Sequence, residues 1–302
     1  MTNRPRKSGR IPQGLTFAAV AIIIAMLAII FGNILIGGVG TISWEFLSTP
    51  PKEGMEAGGV FTAIFGTVAL VVLMVIAVVP VGVLSAVYLH EYTSPTSRLT
   101  RLIRQAINNL AGVPSIVFGL FGLGFFIGFI GGGLDKVFYD TTRPIWGQPA
   151  IIWAALTLAL LTLPVVIIAT EEALRTIPQE IKDASLALGA SKLQTIIRIV
   201  LPQAMPGILT GAILAISRGA GEVAPIMFTG AAYYLPYLPT KLNEQFMELG
   251  YHIYVMATQS PDVEKTKPIL YGTVLVLLIL TFLLNFTAIL IRSKIRRRRV
   301  HG

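Results

Sequence analysis

The chain contains no cysteine among its 302 residues, only three histidines, and only 13% charged residues. Without cysteine there is no disulfide framework and no thiolate site for a metal or a redox reaction. The histidines are far apart in the sequence, so a histidine metal cluster is not expected. The dipeptide Gly-Lys is also missing, and with it the phosphate-binding loop of nucleotide-hydrolysing proteins. These absences predict no metal site, no cofactor and no ATPase site in this chain.

What the chain has instead of charge is apolar sequence. Apolar residues make up 54% of it, and its mean hydropathy is +0.74. A typical soluble domain carries about 25% charged residues, roughly twice the fraction found in this chain. Six long runs contain very few charges or none. They cover Leu15–Ile36, Val60–Leu89, Ala106–Leu134, Ala150–Thr170, Gly207–Ala232 and Pro268–Ile291.

Each run is long enough to cross a bilayer, because a transmembrane helix needs about 20 apolar residues. Unpaired backbone groups are costly in lipid, so runs of this length are expected to be helical. The first run holds 22 uncharged residues, more than the apolar region of a cleaved signal peptide, so we expect an uncleaved helix. The pattern predicts an all-α membrane protein with six transmembrane helices.

Lysine and arginine are unevenly distributed among the segments between these runs. If the N-terminus is cytoplasmic, 17 of the 24 basic residues lie in cytoplasmic segments and 6 in outside loops. The cytoplasmic set is Arg4, Arg6, Lys7, Arg10, Arg98, Arg101, Arg104, Arg175, Lys182, Lys192, Arg198, Arg292, Lys294 and Arg296 to Arg299. This positive-inside bias predicts that both termini are cytoplasmic. The basic C-terminal tail is expected to contact anionic membrane lipid, not nucleic acid.

A charged, amphipathic segment, Asp183–Pro202, separates the fourth run from the fifth. Its sequence is DASLALGASKLQTIIRIVLP, with Gly189 in a position to end one short helix and let the chain turn into another. Ala184, Leu186 and Leu188 can form a small apolar surface on the first of these helices. A segment of this kind could also be an interfacial helix that lies on lipid.

The spacing in this segment favours a more specific interpretation. It resembles the cytoplasmic EAA loop of ABC-importer permeases, which reads E-A-A, three residues, G, nine residues, I-x-L-P. Asp183 and Ser185 stand where that family has Glu and Ala. The resemblance implies that the loop docks on a cytoplasmic ATPase. The docking residues it implies are Asp183, Ala184, Ser185, Leu186, Leu188 and Gly189.

A second stretch, Leu110–Gly124, reads LAGVPSIVFGLFGLG. Pro114 is tolerated in the first turns of a helix, and we expect it to open the third span. Gly124 and Gly128 have the small-xxx-small spacing that lets a neighbouring helix approach closely. Generic helix packing would explain this composition, but the segment AGVPSIVFGLFG resembles a stretch typical of phosphate-specific ABC permeases.

A third stretch, Ser217–Gly230, places Arg218 and Glu222 within the fifth run. A charged residue inside a membrane span is costly and is by default a candidate functional residue. Residues four apart share a helix face, so these two can pair. Their charges alone fit either a structural ion pair or an anion-attracting arginine in a translocation path. The words RGAGEVAPIMFTG resemble the fifth-span motif of phosphate permeases, which favours the second interpretation.

Together the three stretches resemble the phosphate-specific ABC-transporter permeases, the A type (PstA) more than the C type (PstC), over about Gly58–Arg292. The resemblance implies the type I ABC-importer permease fold in a bacterial plasma (inner) membrane. It also implies partners: a homologous PstC-type permease, a PstB-type ATPase dimer and a PstS-type phosphate-binding protein. In such an assembly the chain would form a phosphate path and take its energy from the ATPase.

Three other functions are alternatives to a phosphate permease. A permease of this type could carry sulfate, molybdate or an amino acid, but the motif around Arg218 argues against these substrates. An intramembrane enzyme would need a catalytic cluster, and the runs offer only Arg218 and Glu222. A passive channel would have no use for a docking loop.

The chain is accordingly expected to divide into three parts. Residues 1–57 form the cytoplasmic N-terminus, the first transmembrane helix and an outside loop. Residues 58–292 form the transmembrane domain, with a cytoplasmic coupling loop at 171–206. Residues 293–302 form the basic tail.

The charge bias predicts a measurable topology. A reporter fused after His301 should be cytoplasmic, and one inserted near Glu248 should be extracytoplasmic. Protease or labelling access to these sites from the opposite sides would contradict the six-span orientation.

Overall fold

The computed structural model describes residues 10–94, 96–139 and 143–300. Side chains are described from residue 12 to residue 295 within those ranges. The α-helices and the two short strands are, in chain order, α1 Arg10–Gly38, α2 Trp44–Ser48, β1 Pro51–Lys52, β2 Ala57–Gly58, α3 Phe61–Val87, α4 Arg98–Leu110, α5 Ser115–Phe121, α6 Gly132–Phe138, α7 Ile151–Arg175, α8 Gln179–Ala187, α9 Lys192–Thr195, α10 Leu201–Gly219, α11 Ala224–Thr229, α12 Leu249–Gln259 and α13 Val263–Val300. The strands pair in antiparallel fashion, with Pro51 opposite Gly58.

Segments of π-helix extend or join several of these helices. One extends α3 through Tyr88–Tyr92, one joins α5 to α6 through Gly122–Gly131, and one joins α9 to α10 through Ile196–Val200. Six helices of the described chain are then long and apolar enough to cross a membrane. They are Pro12–Thr41, Phe61–Tyr92, Ser115–Phe138, Ile151–Arg175, Lys192–Gly219 and Val263–Ile295. The prediction of an all-α membrane protein with six spans is confirmed.

Two of the predicted spans have wrong boundaries. The third span begins at Ser115 instead of Ala106, because Pro114 lacks the N–H needed to continue the separate amphipathic helix α4. The fifth span begins at Lys192 instead of Gly207, and its helix ends at Gly219 instead of Ala232. Pro202, expected to mark the entry to this span, lies inside it.

The helix α7 lies at the centre of the bundle, with α3 and α10 packed against it. In its most apolar window 67% of the residues are buried, against 11% for α13 and none for α1. The core where the three central helices meet includes Met74, Leu158 and Ala215. The apolar side chains of α1 are largely exposed, which suits a lipid environment.

The six spans alternate in direction, so both described ends of the chain lie on one face of the bundle, together with α8 and α9. We call this side the loop face and the other side the opposite face. On the opposite face the carboxylate of Asp135 accepts N–H groups from Ile145, Trp146 and Gly147 at 2.8 to 2.9 Å. This ties the end of the third span to the segment that leads into α7.

A buried carboxylate begins α12, outside the six spans. Glu248 is only 2% exposed, and its Oε2 accepts the N–H of Tyr251 at 2.7 Å. Thr67 of α3 lies 3.4 Å from its Oε1 and also accepts the N–H of Leu249 at 3.0 Å. Desolvation by burial raises the pKa of Glu248 to about 7, and hydrogen bonds from Gly250, Tyr251 and Thr67 offset this rise only in part.

This raised pKa predicts a pH-dependent penalty. Below pH 4.5 the Glu248 carboxyl is protonated whether the chain is folded or unfolded, so no penalty exists. The penalty grows as pH rises towards 7 and is complete above it, at about 3 kcal/mol. Glu248→Gln keeps an acceptor for Tyr251 and should raise the melting temperature of the purified protein at pH 8 more than at pH 5.

A matched control is Glu244→Gln. Two backbone N–H groups, first that of Thr240, lower the pKa of Glu244, so its ionised form stabilises the fold above the unfolded pKa. That substitution should therefore lower the melting temperature at pH 8. Equal effects of Glu248→Gln at both pH values would contradict the assignment.

Candidate functional site

The loop between the fourth and fifth spans folds as two short helices, α8 and α9. Gly189 between them has φ +86°, a conformation that side chains disfavour. Ser191 then starts α9 with a capping box: its Oγ accepts the N–H of Gln194, and the Gln194 side chain accepts the N–H of Ser191. The turn that was predicted at Gly189 is present. The second helix begins at Lys192 and runs without interruption into the fifth span.

The outer surface of this loop includes exposed leucine side chains. Leu188, beside the turn, is 90% exposed, and Leu186 is 45% exposed. Ala184 and Asp183 are also exposed, and Asp183 accepts a hydrogen bond from Gln179 at 3.0 Å. Exposed leucines next to a helix turn are available to a protein partner.

Ser185 has a different position from the other residues of the motif. It is buried, and its hydroxyl lies 2.9 Å from that of Thr195. This contact braces α8 against α9, so Ser185 shapes the loop from within and does not contribute to its outer surface.

Ion pairs at the base of the loop were not predicted from the sequence. Lys182 of α8 contacts Glu91 at the end of α3, with 2.6 Å between Nζ and Oε1. Nearby, Glu171 of α7 lies between Arg104 and Arg175, at 3.2 Å and 3.8 Å. The Arg104 contact is ionic and poorly directed, because Arg104 Nε and Glu171 Oε1 make no hydrogen bond. The only sequence signal for these ion pairs was the presence of charged residues near the predicted ends of the spans.

Arg218 and Glu222 are brought together, but not along one helix as predicted. Arg218 lies in the last turn of α10, and Glu222 lies in the turn that follows Gly219. Arg218 Nε is 3.4 Å from Glu222 Oε1, and the two side chains are 33% and 21% exposed. The pair therefore spans the end of the helix, where the unpaired carbonyl groups also favour a cation.

Three other elements surround this pair. Gly219 lies against Met74 of α3, so close that an added Cβ would be 2.5 Å from the sulfur. Ser217 Oγ is 2.6 Å from Asn285 Oδ1 of α13. On the far side, the turn that carries Glu222 adjoins the first residues of α12, where Val223 contacts Gly250. The pair lies where α3, α10, α12 and α13 converge.

The glycine-rich third span packs through residues other than those predicted. A Cβ at Gly124 would meet nothing within 4 Å, and one at Gly128 would meet only its own helix. A Cβ at Gly122, in contrast, would lie 2.3 Å from Thr157 Oγ1 of α7. Close approaches within this chain are made at Gly119, Gly122 and Gly131, and not at the Gly124 and Gly128 spacing that the sequence suggested.

Comparison with known proteins places this architecture in a family. Residues 78–301 match the family described as binding-protein-dependent transport system inner membrane component. A relative from Mycobacterium tuberculosis, named phosphate transport system permease protein PstA 1, is 37% identical over 80% of this chain and 73% of its own. A relative from Haemophilus influenzae, named phosphate transport system permease protein PstA, is 30% identical over 93% of each chain.

A solved structure confirms the fold. A chain of a bacterial ABC transporter involved in the import of the acidic polysaccharide alginate is similar with a TM-score of 0.65. The similarity covers 94% of this chain and 96% of that chain, at 16% sequence identity. The predicted fold, that of an ABC-importer permease, is confirmed. The chain belongs to the family of binding-protein-dependent transport system inner membrane components.

Proposed function

We propose that this chain is a permease subunit of an ATP-driven phosphate importer. Relatives that are similar over most of their length are named as phosphate transport permeases. The observation that carries the proposal is the arginine and carboxylate pair, Arg218 and Glu222, which is partly buried where four helices converge. A guanidinium in such a place attracts a tetrahedral oxyanion.

The pair has the chemistry to release and regain an anion. Among the described residues, the ion-pair contact of Arg218 is made through Nε, which leaves its two Nη groups to bind oxygen atoms of phosphate. Glu222 neutralises the guanidinium when the path is empty. Phosphate competes with Glu222 for the guanidinium during passage, so the arginine is never left as an isolated buried charge.

The energy comes from a different subunit in this proposal. The sequence lacks the phosphate-binding loop with which ATPases hold ATP. Leu186 of α8 and Leu188 of the turn that follows it are exposed to a partner. The partners are a PstB-type ATPase dimer at this loop, a homologous PstC-type permease beside the bundle and a PstS-type phosphate-binding protein at the opposite face. The loop face is cytoplasmic in this proposal, so both termini lie on the cytoplasmic side of the bacterial inner membrane.

Transport follows from these contacts. Closure of the ATPase dimer on ATP moves the two docked loops, and the bundles turn as rigid bodies between the outward-facing and inward-facing states. The phosphate released by the binding protein passes near Arg218. The direct test is ATP-dependent uptake of labelled phosphate by the complete complex in liposomes, with sulfate and molybdate as competitors.

Substitution of Arg218 tests its role in the path. Arg218→Lys keeps the charge but loses the planar fork, and uptake per assembled complex should fall about tenfold, the effect of ~1.4 kcal/mol. Arg218→Gln should lower uptake further. The assay measures phosphate uptake after ATPase association has been confirmed for each variant.

A purely structural pair predicts something different. Loss of either Arg218 or Glu222 would then mainly reduce the amount of complex in the membrane, because an unpaired charge is left behind. Normal uptake per assembled complex in Arg218→Gln would show that this arginine is not a transport residue.

Gly189→Val tests the docking loop. The positive φ of Gly189 strains any β-branched residue by roughly 1 to 3 kcal/mol, so the turn and the position of Leu188 should change. ATPase association and uptake should both fall, while the chain stays in the membrane. Ala187→Val, at an exposed helical position next to the turn, is the matched control. Unchanged ATPase association in Gly189→Val would refute the docking assignment.

A further inference from the structure

One residue of α3 holds both helices of the docking loop. The carboxylate of Glu91, in the last turn of that span, contacts Lys182 of α8 at 2.6 Å. The backbone carbonyl of the same residue accepts a hydrogen bond from Lys192 of α9. The Lys192 ammonium also lies 4.6 Å from the ring centroid of Tyr92, the next residue along the chain.

The side chains of Glu91 and Lys182 are largely buried. They are only 11% and 8% exposed, although lysine is rarely buried in proteins. In such a place a charge without its partner is strongly destabilising, so the two side chains stay together. Surface ion pairs, in contrast, contribute little and separate easily.

Apolar packing joins α9 to α3, whereas α8 contacts Glu91 through this ion pair. Ile196 and Val200, which follow α9, are buried in one cluster with Leu89 of α3. Beside α8 there is instead a cavity of about 440 Å³, lined by Glu91, Lys182 and their neighbours. The helix that carries the exposed Leu186 therefore reaches α3 through polar contacts.

The other half of α3 reaches the arginine pair. Met74 of this helix packs on Gly219, the residue next to Arg218, and the sulfur is too close for any side chain at Gly219. Met74 and Glu91 belong to one continuous helical span, Phe61–Tyr92. A displacement of this span at Glu91 is transmitted past Pro80 to Gly219 beside Arg218, because close-packed interiors transmit strain.

We propose that Glu91 and Lys182 are positioning residues that join the docking loop to α3 and so transmit its movement to the arginine pair. The proposal rests on the proposed function and deepens it. The ATPase moves α8, the ion pair obliges α3 to follow, and α3 shifts Gly219 and Arg218. Neither residue touches the ATPase or phosphate in this scheme.

The test removes both charges at once. Glu91→Gln combined with Lys182→Gln leaves no unpaired buried charge and keeps two side chains that can form a hydrogen bond, so the complex should still assemble with its ATPase. The complete complex is placed in liposomes, and ATP hydrolysed per phosphate imported is measured. We expect this ratio to rise about fivefold or more, the lower end of typical coupling between two sites.

Two further variants sharpen the result. The exchange Glu91→Lys with Lys182→Glu restores an ion pair and should bring the ratio back towards that of the unchanged protein. The matched control is Glu56→Gln with Lys265→Gln, which removes an ion pair of 2.5 Å on the opposite face. That pair is exposed and remote from the loop, so the control should leave the ratio unchanged.

Two outcomes would overturn the proposal. One is an unchanged ratio in assembled complexes of the doubly neutral variant. The other is loss of ATPase association in that variant, since the pair would then only shape the docking surface.

A measurement without phosphate separates this proposal from the proposed function. The chain has no cysteine, so Leu84→Cys in α3 and Glu180→Cys in α8 can carry spin labels without other changes. In the complex the distance between the labels should stay constant with and without ATP, and it should vary in the doubly neutral variant. A distance that changes with ATP in the otherwise unchanged chain would refute the connection. A constant distance in a complex that imports no phosphate would refute only the proposed function.

Discussion

The absence of water from the bilayer interior is the constraint on which the rest of the structure depends. Every backbone N–H and C=O in that layer must be satisfied within the protein, so each of the six spans is a helix. Charges are excluded for a related reason, and the ion pairs of the described chain gather near the ends of the spans. Glu91 and Glu171 follow this rule, whereas Arg218 adjoins Ser217 and Gly219, which contact the interior of the sixth and second spans, and it is paired there with Glu222.

The same constraint explains why the two candidate sites differ in character. At the loop face the bundle meets water, and a short helix pair can present leucines such as Leu188 to a protein partner. Arg218 lies instead among four helices, where a carboxylate must accompany it. The second span reaches both places. Met74, in its interior, packs beside Gly219, and Glu91 lies in its last turn.

Much of the fold could be predicted because membrane spans are read from local sequence. The six spans and the turn at Gly189 depend on residues that are neighbours in the chain. The boundaries that failed did so for local reasons of a finer kind. Pro114 separates α4 from the third span, and the capping box at Ser191 starts the fifth span early. Span prediction from apolar composition alone takes no account of the proline or of the capping box.

The sequence by itself determined the helical membrane architecture, the turn at Gly189 between two short helices and the proximity of Arg218 to Glu222, since all of these depend on composition or on residues a few positions apart. Only the tertiary structure decided that Ser185 faces inward, that Gly122 makes a close contact in the third span, and that Lys182 meets Glu91, 91 positions away. Such pairings depend on how the helices are arranged around α7. A charge pattern in one sequence cannot specify that arrangement, because each buried charge has several partners of opposite sign near the same face of the membrane.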